Sequence, residues 1–343
     1  MASDPFATAF GDDDENDTAI ENVDTAPLDT AAVAGVHIED GRAPPTPQRM
    51  TENGVLSFHS GTEHALLLFV QQAVKSFMSS SSDHDQQQHN NWRQVVLHAI
   101  DTFCLDRHWM MHVGPDKGCI VQDFLKKQII QRDPQQQNHT YNIVELGTYC
   151  GYSTIRMADT LLQHHQIVPK FHIHTIDINA QSQNIAKQLI QLAGLQKYVS
   201  FILRESTKVD HPTSVSFTRQ LTDSILRQTT EGRSSDTTGD VDKRIDFLFV
   251  DHAKELYLSD LQLLETSGFI RQGTAVAADN VVFFQLSDYC THMSTRETQG
   301  MVHTELVNNN VYLEYVPPSA ENNELRDGLE LTVYLEDPTS ATN

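Results

Sequence analysis

Two short apolar runs in the second half of the chain each end in acidic or amide side chains. The run Phe-Leu-Phe-Val is followed by Asp251, with Lys254 three residues further on. The run Ala-Val-Ala-Ala is followed directly by Asp279 and Asn280. If both runs are neighbouring parallel strands, these side chains meet at one sheet edge, where two carboxylates and one amide oxygen form a hard, all-oxygen site that suits Mg²⁺. Capping of the following helix is the alternative for each aspartate taken singly, but the combination with Lys254 favours the metal site.

A glycine loop follows an earlier apolar run, Tyr141–Leu146. It reads ELGTYCGYS over residues 145–153, and Gly147 and Gly151 permit a tight turn and a close approach of the backbone to a ligand. The spacing differs from the GxGxxG pattern of dinucleotide-binding folds, which disfavours an NAD-dependent dehydrogenase. Glu145 would discourage a pyrophosphate at this place, whereas it suits a cationic ligand such as S-adenosylmethionine.

Asp177 ends the next apolar run, Phe-His-Ile-His-Thr-Ile. In open α/β sheets, an acid at the end of the second strand hydrogen-bonds the hydroxyls of a ribose. Each feature alone has an ordinary alternative, since the glycines could serve only a turn and Asp177 only a helix cap. Together, with a strand–loop–helix pattern at both places, they predict a nucleoside site.

The predicted metal site and the predicted cofactor suit one reaction in particular. Methyl transfer from a sulfonium needs an oxygen nucleophile, and a phenol has a pKa of about 10, so that it is weakly ionised at neutral pH. A divalent cation stabilises the phenolate, and a nearby lysine such as Lys254 can accept the proton. Two adjacent hydroxyls can chelate a cation, so the chemistry favours a vicinal diol on an aromatic ring.

Longer segments around these residues resemble the catechol O-methyltransferase family. The resemblance is carried by ELGTYCGYSTIRMA at 145–158, HWMMHVGPDKG at 108–118, FVDHAKELYLSDLQLLE at 249–265, GTAVAADNV at 273–281 and YLEY at 312–315. It extends over roughly residues 61–336, with a segment at 209–243 that the family core lacks.

The resemblance implies a role for each matching residue. It implies cofactor contacts for Met111, Val113, Glu145, Gly147, Tyr149, Ser153, Asp177, Ile178, Ser206, Thr207 and Asp251. It implies magnesium ligation by Asp251, Asp279 and Asn280. It implies that Lys254 is the general base and that Glu314 binds the non-reacting hydroxyl. It implies substrate contacts for Trp109, Lys254, Asn280 and Glu314.

Three positions depart from the family pattern. Ala253 stands where the family usually has tryptophan, Thr207 replaces a glutamine near the adenine, and Phe284 falls near a proline that closes the substrate pocket. We expect Phe284 to be a core aromatic, and Trp109 and Glu314 also have ordinary alternatives as a core ring and a solvated charge. Three hypotheses follow: a catechol methyltransferase, a methyltransferase of another vicinal dihydroxy aromatic such as a phenolic acid or flavonoid, and a non-catalytic module that keeps the cofactor fold.

The elements that position these residues alternate along the chain. Apolar runs predict strands at 141–146, 171–177, 198–203, 245–250, 273–278, 311–316 and 328–335. Helical periodicity is found at 62–78, 92–103, 117–131, 152–164, 180–193 and 255–267. We therefore expect a doubly wound α/β fold of the Rossmann-like class I methyltransferase type, with a mostly parallel seven-stranded sheet, an antiparallel C-terminal hairpin and extra N-terminal helices.

The composition of the remaining segments predicts how the 343-residue chain is divided into a domain and tails. Residues 1–55 read as a disordered acidic tail, residues 56–338 as the methyltransferase domain with a flexible insertion at about 209–243 that starts with a helical stretch, and residues 339–343 as a C-terminal tail. The formal net charge of −22 disfavours nucleic acid and anionic membranes as partners. Few cysteines, and the absence of a signal peptide or apolar span, favour a cytoplasmic protein, expected as a monomer with a small-molecule substrate.

Overall fold

The computed structural model describes residues 61–80, 92–133, 139–204, 214–230 and 243–338. The predicted tails at 1–55 and 339–343 lie outside these ranges, as do parts of the predicted insertion. No helix within the described ranges is long and apolar enough to cross a membrane.

A seven-stranded sheet forms the centre of the fold. Its strands are β1 (Tyr141–Leu146), β2 (Phe171–Asp177), β3 (Val199–Leu203), β4 (Phe247–Val250), β5 (Ala275–Ala278), β6 (Val302–Val307) and β7 (Leu329–Tyr334). They lie in the order β3-β2-β1-β4-β5-β7-β6. The first five strands are parallel, while β7 is antiparallel to both β5 and β6. Every residue of β1 and β4 is buried, as expected for strands covered on both faces.

Helices cover both faces of the sheet. They are α1 (Thr62–Ser80), α2 (Trp92–Asp106), α3 (Gly114–Ile130), α4 (Tyr152–Gln163), α5 (Ala180–Leu192), α6 (Ser214–Thr230), α7 (Tyr257–Thr266) and α8 (Ser287–Thr298). Residues that alternate along a strand enter different cores: Phe247 and Phe249 pack with α1–α5, whereas Leu248 and Val250 pack with α6–α8. The prediction of a doubly wound, mostly parallel sheet with an antiparallel C-terminal end is confirmed.

The C-terminal end of the sheet differs from the sequence prediction in its strands. Residues 311–316 are not a strand; the segment makes a single antiparallel bridge from Tyr312 to Arg326, and Tyr315 has a φ of 60°. The partner of β7 is instead β6, which the apolar pattern did not indicate because this edge strand exposes its polar residues. Helix α8 was also not predicted, since its main buried side chains are only Tyr289 and Met293.

Helix α6 occupies the middle of the predicted flexible insertion. Its helical start agrees with the prediction, and the helix buries Phe217, Leu221 and Ile225 in the core beside β2 and β3. This helix, which lies between β3 and β4 in the chain, is therefore part of the helical layer that covers the sheet.

Candidate active site

A cavity of about 650 Å³ lies at the carboxyl ends of β1, β2 and β4. The segment before α3, the loop after β4 and the 313–314 segment complete its walls. The predicted site residues that line it are Met111, Val113, Gly147, Tyr149, Ser153, Asp177, Ile178, Asp251, Lys254, Asn280 and Glu314. One cavity thus brings together most of the predicted cofactor residues and both predicted catalytic residues, Lys254 and Glu314.

The glycine loop forms the floor of the cavity. Gly147 has a φ of 103°, and a Cβ atom there would lie 2.3 Å from the carbonyl oxygen of Asp251. Only glycine therefore allows the β1 loop and the β4 loop to approach this closely. Gly151, with a φ of 81°, starts helix α4, so that Tyr152 and Ser153 of its first turn line the cavity.

Glu145 lies beneath this loop and is fully buried. Its carboxylate accepts hydrogen bonds from the hydroxyls of Ser153 (2.6 Å), Thr175 (2.5 Å) and Thr154. Burial raises the pKa of Glu145 to about 7, against the opposing effect of these three donors. The carboxylate does not line the cavity, but it orients Ser153, which does.

Asp177 is fixed by backbone groups at the end of β2. Its carboxylate accepts hydrogen bonds from the backbone N–H groups of Tyr149 (2.7 Å) and Asn179 (2.8 Å). The N-cap of α5 is Asn179, whose side chain accepts from the N–H groups of Gln181 and Ser182. Capping of this helix is therefore the work of Asn179, and Asp177 faces the cavity beside the half-exposed Ile178.

Lys254 follows β4 and is held between two oxygen atoms. Its Nζ donates to Oδ1 of Asp251 and to the hydroxyl of Tyr257, each at 2.8 Å. The Tyr257 hydroxyl in turn donates to the carbonyl of Asp279 at 3.1 Å. The ring of Phe284 lies 5.4 Å from Nζ and lines the cavity, so the expectation that Phe284 is only a core aromatic is wrong.

Asp279 and Asn280 follow β5, and their side chains differ in their hydrogen-bond partners. Asp279 is fully buried; its Oδ1 accepts from the backbone N–H of Asn280 at 2.8 Å, while its Oδ2 has no hydrogen-bond partner. The Asn280 Nδ2 donates to Oε1 of Glu314 (3.0 Å) and to Oδ2 of Asp327 (2.8 Å). The amide orientation is thereby set, with its nitrogen toward the carboxylates.

Two charged residues of the site were missed by sequence reasoning. The Nζ of Lys117, on α3, lies 2.5 Å from Glu314 Oε1, 2.7 Å from Asp327 Oδ2 and 2.9 Å from Asp279 Oδ1. Lys117 and Asp327 are both buried. Lys117 falls within the quoted segment at 108–118, but nothing in the local spacing of Asp327 indicates a role.

The charges of this cluster shift its pKa values in different directions. Burial by itself lowers the pKa of Lys117, but Asp279, Asp327 and Glu314 outweigh it and raise that pKa well above its usual range. Burial raises the pKa of Asp279, and the neighbouring carboxylates add to the increase. For Asp327, burial is outweighed by Lys117 and by the Asn280 hydrogen bond, so its pKa is lowered.

Trp109, a predicted substrate contact, does not line the cavity. Trp109 is buried behind it and donates its indole N–H to the backbone oxygen of Glu314 at 2.8 Å, so it supports Glu314 and is not part of the cavity wall. Ser206 and Thr207 lie outside the described residues.

A second buried ion pair, also missed from the sequence, lies at the β3 side of the cavity. Arg204 follows β3 and makes a two-pronged contact with Asp260 of α7. The same carboxylate accepts from His252 Nε2 at 2.9 Å, and the His252 ring stacks on Tyr257. Arg204 and His252 both line the cavity, and the backbone N–H of Arg204 donates to the carbonyl of Asp177, so this contact ties the wall beside Asp177 to helix α7.

The fold and the cavity define an enzyme of the methyltransferase class. A family model described as a methyltransferase domain matches residues 144–281. Catechol O-methyltransferase of Bos taurus is 33% identical over 241 residues, covering 70% of this chain and 70% of that protein. Catechol O-methyltransferase of Mus musculus is 30% identical over 273 residues, covering 78% and 84%. Catechol O-methyltransferase B of Danio rerio is 31% identical over 247 residues, covering 71% and 72%.

The chain belongs to the catechol O-methyltransferase family, and it is an S-adenosylmethionine-dependent O-methyltransferase. The predicted resemblance is confirmed by these relatives.

Proposed function

We propose that the enzyme methylates one hydroxyl of a catechol, with a divalent cation bound and with Lys254 as the general base. The observation that carries the proposal is that Lys254, Asn280 and Glu314 line the same cavity as the glycine loop. The catechol O-methyltransferases that resemble the chain support the choice of substrate class.

The cofactor half of the cavity is formed by β1 and β2. Asp177 would bind the ribose hydroxyls there, because an acid at this strand end is the usual ribose contact in open α/β sheets. The first turn of α4, with Ser153, would hold the methionine end, since a helix N-terminus favours a carboxylate. S-adenosylmethionine supplies the methyl group when bound.

The donor set at β4 and β5 fits a magnesium ion. No three His, Cys, Asp or Glu side chains in the described ranges are grouped as a metal site, but the proposed ligands are two carboxylates and an amide. The buried Oδ2 of Asp279 has no partner, and buried polar atoms are rarely left in that state unless a ligand satisfies them. Asp251, Asp279 and Asn280 would hold the ion, whose charge lowers the pKa of a phenol.

Lys254 would contact the reacting hydroxyl of the substrate, and Glu314 would contact the second hydroxyl. Lys254 accepts the proton of the reacting hydroxyl at Nζ, an atom that Asp251 and Tyr257 keep in place. Glu314 accepts a hydrogen bond from the second hydroxyl and so orients the ring. The cofactor would supply its methyl group to the phenolic oxygen and retain the electrons of the carbon–sulfur bond, so the products would be a methyl ether and S-adenosylhomocysteine.

A methyl-transfer assay with labelled cofactor and a small catechol panel tests the proposal. We expect turnover with Mg²⁺, loss of turnover with EDTA, and a fall of at least 100-fold in kcat for Lys254→Met, because general-base catalysis contributes roughly 10²–10⁴-fold. Lys126→Met, at an exposed position of α3, is the matched control. Cofactor binding without methylation of any substrate would favour a non-catalytic module, and full activity in EDTA would contradict metal assistance.

A larger vicinal dihydroxy aromatic is a second candidate substrate. Ala253 presents only a methyl group to the cavity beside Lys254. The resemblance places a tryptophan here in the family, so the smaller side chain should widen this side of the site. Flavonoids and phenolic acids in the same panel distinguish the two, and a strong preference for small catecholamines would eliminate the larger class.

We further propose that the enzyme is a cytoplasmic monomer that acts on small molecules and binds neither nucleic acid nor membranes. The net charge of −22 and four free cysteines support this. Light scattering should give a mass near 38.6 kDa, and a mass twice as large would contradict the monomer.

A further inference from the structure

The buried contacts of Lys117 and Asp327 lie directly behind the proposed metal ligands. Asp327 accepts hydrogen bonds from Lys117 Nζ (2.7 Å), from Asn280 Nδ2 (2.8 Å) and from the backbone N–H of Phe283 (3.1 Å). It therefore ties helix α3 and the loop after β5 to the loop before β7. The contacts are made by side chains on three separate parts of the chain, so they fix their relative positions.

These contacts decide which atoms of the ligands remain free. Oδ1 of Asp279 is occupied by Lys117 Nζ and by the backbone N–H of Asn280, which leaves Oδ2 without a partner. The Asn280 amide nitrogen is turned toward Asp327, so its oxygen is the atom left for a cation. Both free atoms are hard oxygens of the kind that Mg²⁺ binds.

The charge of the cluster points the same way. The carboxyl groups of Asp251, Asp279, Glu314 and Asp327 lie close to the amines of Lys117 and Lys254. Lys254 must be neutral to accept a proton, so Lys117 supplies the positive charge of the cluster, and a divalent cation would offset part of the negative charge that remains. Without Lys117, the buried excess of negative charge would be larger and the folded state would be less stable.

We propose that Lys117 and Asp327 are positioning residues of the metal site, which select the ligand atoms that Asp279 and Asn280 present to the cation. The proposal rests on the metal-assisted function proposed above. Neither residue is a ligand itself. Partners of metal ligands that lie one layer out typically change metal affinity by about 10–100-fold when they are removed.

Mn²⁺ binding measured by electron paramagnetic resonance tests this without any need for turnover. We expect Lys117→Met and Asp327→Asn each to raise the Kd for Mn²⁺ by at least tenfold. The affinity for S-adenosylhomocysteine, measured by calorimetry without metal, should stay within twofold. Lys126→Met and Asp288→Asn, both at exposed positions, are the matched controls and should change neither affinity.

A double variant keeps the test decisive if the single variants fold poorly. Lys117→Met with Asp327→Asn removes one charge of each sign, so the net charge of the cluster stays the same as in the wild type. Equal Mn²⁺ affinity in this variant and the wild type would overturn the proposal, as would a parallel loss of S-adenosylhomocysteine affinity, which indicates a merely structural role. If the wild type itself bound no Mn²⁺, the metal-assisted function would fail, a result distinct from the failure of the positioning role alone.

Discussion

Gly147 shows how a single residue decides whether the cofactor and metal halves of the site can meet. A methyl group at this position would lie 2.3 Å from the Asp251 carbonyl oxygen, so the two loops would have to separate. We expect Gly147→Ala to lower the affinity for S-adenosylhomocysteine by at least tenfold and to cost roughly 2–4 kcal/mol of stability. Calorimetry and urea unfolding measure the two effects.

Gly194→Ala is the control for this prediction. Gly194 also has a positive φ, 71°, but a Cβ there would meet nothing within 4 Å. It therefore carries the backbone strain of about 1 kcal/mol without the collision. Equal losses in the two variants would show that strain alone, and not the close approach of the loops, explains the requirement for glycine.

The buried carboxyl group of Glu145 should make the stability of the fold depend on pH. Burial raises its pKa in the folded chain from 4.5 to about 7, so its contribution to stability is complete below about pH 4.5 and is lost as the pH rises through about 7. A difference of this size corresponds to about 3 kcal/mol. Between pH 5 and 8, the unfolding free energy of the wild type should fall by roughly that amount relative to Glu145→Gln. Glu305→Gln, at an exposed position of β6, should show no such change, and identical pH profiles for all three proteins would refute the prediction.

The site residues that the sequence revealed are those that follow strands. Asp177, Asp251 and Asp279 could be found because each ends an apolar run, and parallel strands bring such ends together. Lys117 and Asp327 could not, because they are 210 residues apart and their contact depends on how α3 packs beside the loop before β7. Such a pairing is a property of the tertiary structure and leaves no local pattern.

Helix α6 is the element whose contribution the sequence understated. Leu221 is fully buried against the sheet, so Leu221→Ala should lower the unfolding free energy by roughly 2–5 kcal/mol. Leu105→Ala is a matched control, since Leu105 is 54% exposed and the same change should cost much less. Urea unfolding measures both, and a cost for Leu221→Ala as small as that of the control would indicate that α6 is a dispensable insertion.

The elements with buried faces on both sides were the easiest to predict. Strands β4 and β5 are continuous apolar runs because helices cover them on two faces, and β1 is buried along its whole length for the same reason. The apolar residues of 311–316 predict a strand, yet in the structure Tyr312, Leu313 and Val316 are buried in a small cluster around Glu314. Strand β6, at the sheet edge, pairs with β7 along its whole length but lacks the continuous apolar run by which a buried strand is recognised.

Across the whole domain, the two halves of the site belong to different parts of the sheet. The β1–β2 half offers the proposed cofactor contacts, and the β4–β5 half offers the proposed metal contacts, while Glu314 reaches the cavity from the loop before β7. The antiparallel C-terminal end of the sheet thus has a functional consequence, because it returns the chain to the cavity after the parallel strands are complete.

Three buried histidines should each lower the stability of the whole domain as the pH falls. Burial lowers the pKa of His112 and His174 to about 3 and that of His172 to about 4, against 6.5 in the unfolded chain. The unfolded chain therefore gains protons below about pH 6.5 that the folded chain does not, and each histidine should cost about 1.4 kcal/mol of stability per pH unit. Glu145 and other buried carboxyl groups with raised pKa values, among them Asp177, Asp246 and Asp279, act in the opposite direction, so the contribution of a histidine is taken from the difference between two variants. His174→Gln should reduce the loss measured by urea unfolding between pH 6 and 5, whereas His303→Gln, at an exposed position, should not; equal slopes for both would contradict this origin of the acid sensitivity.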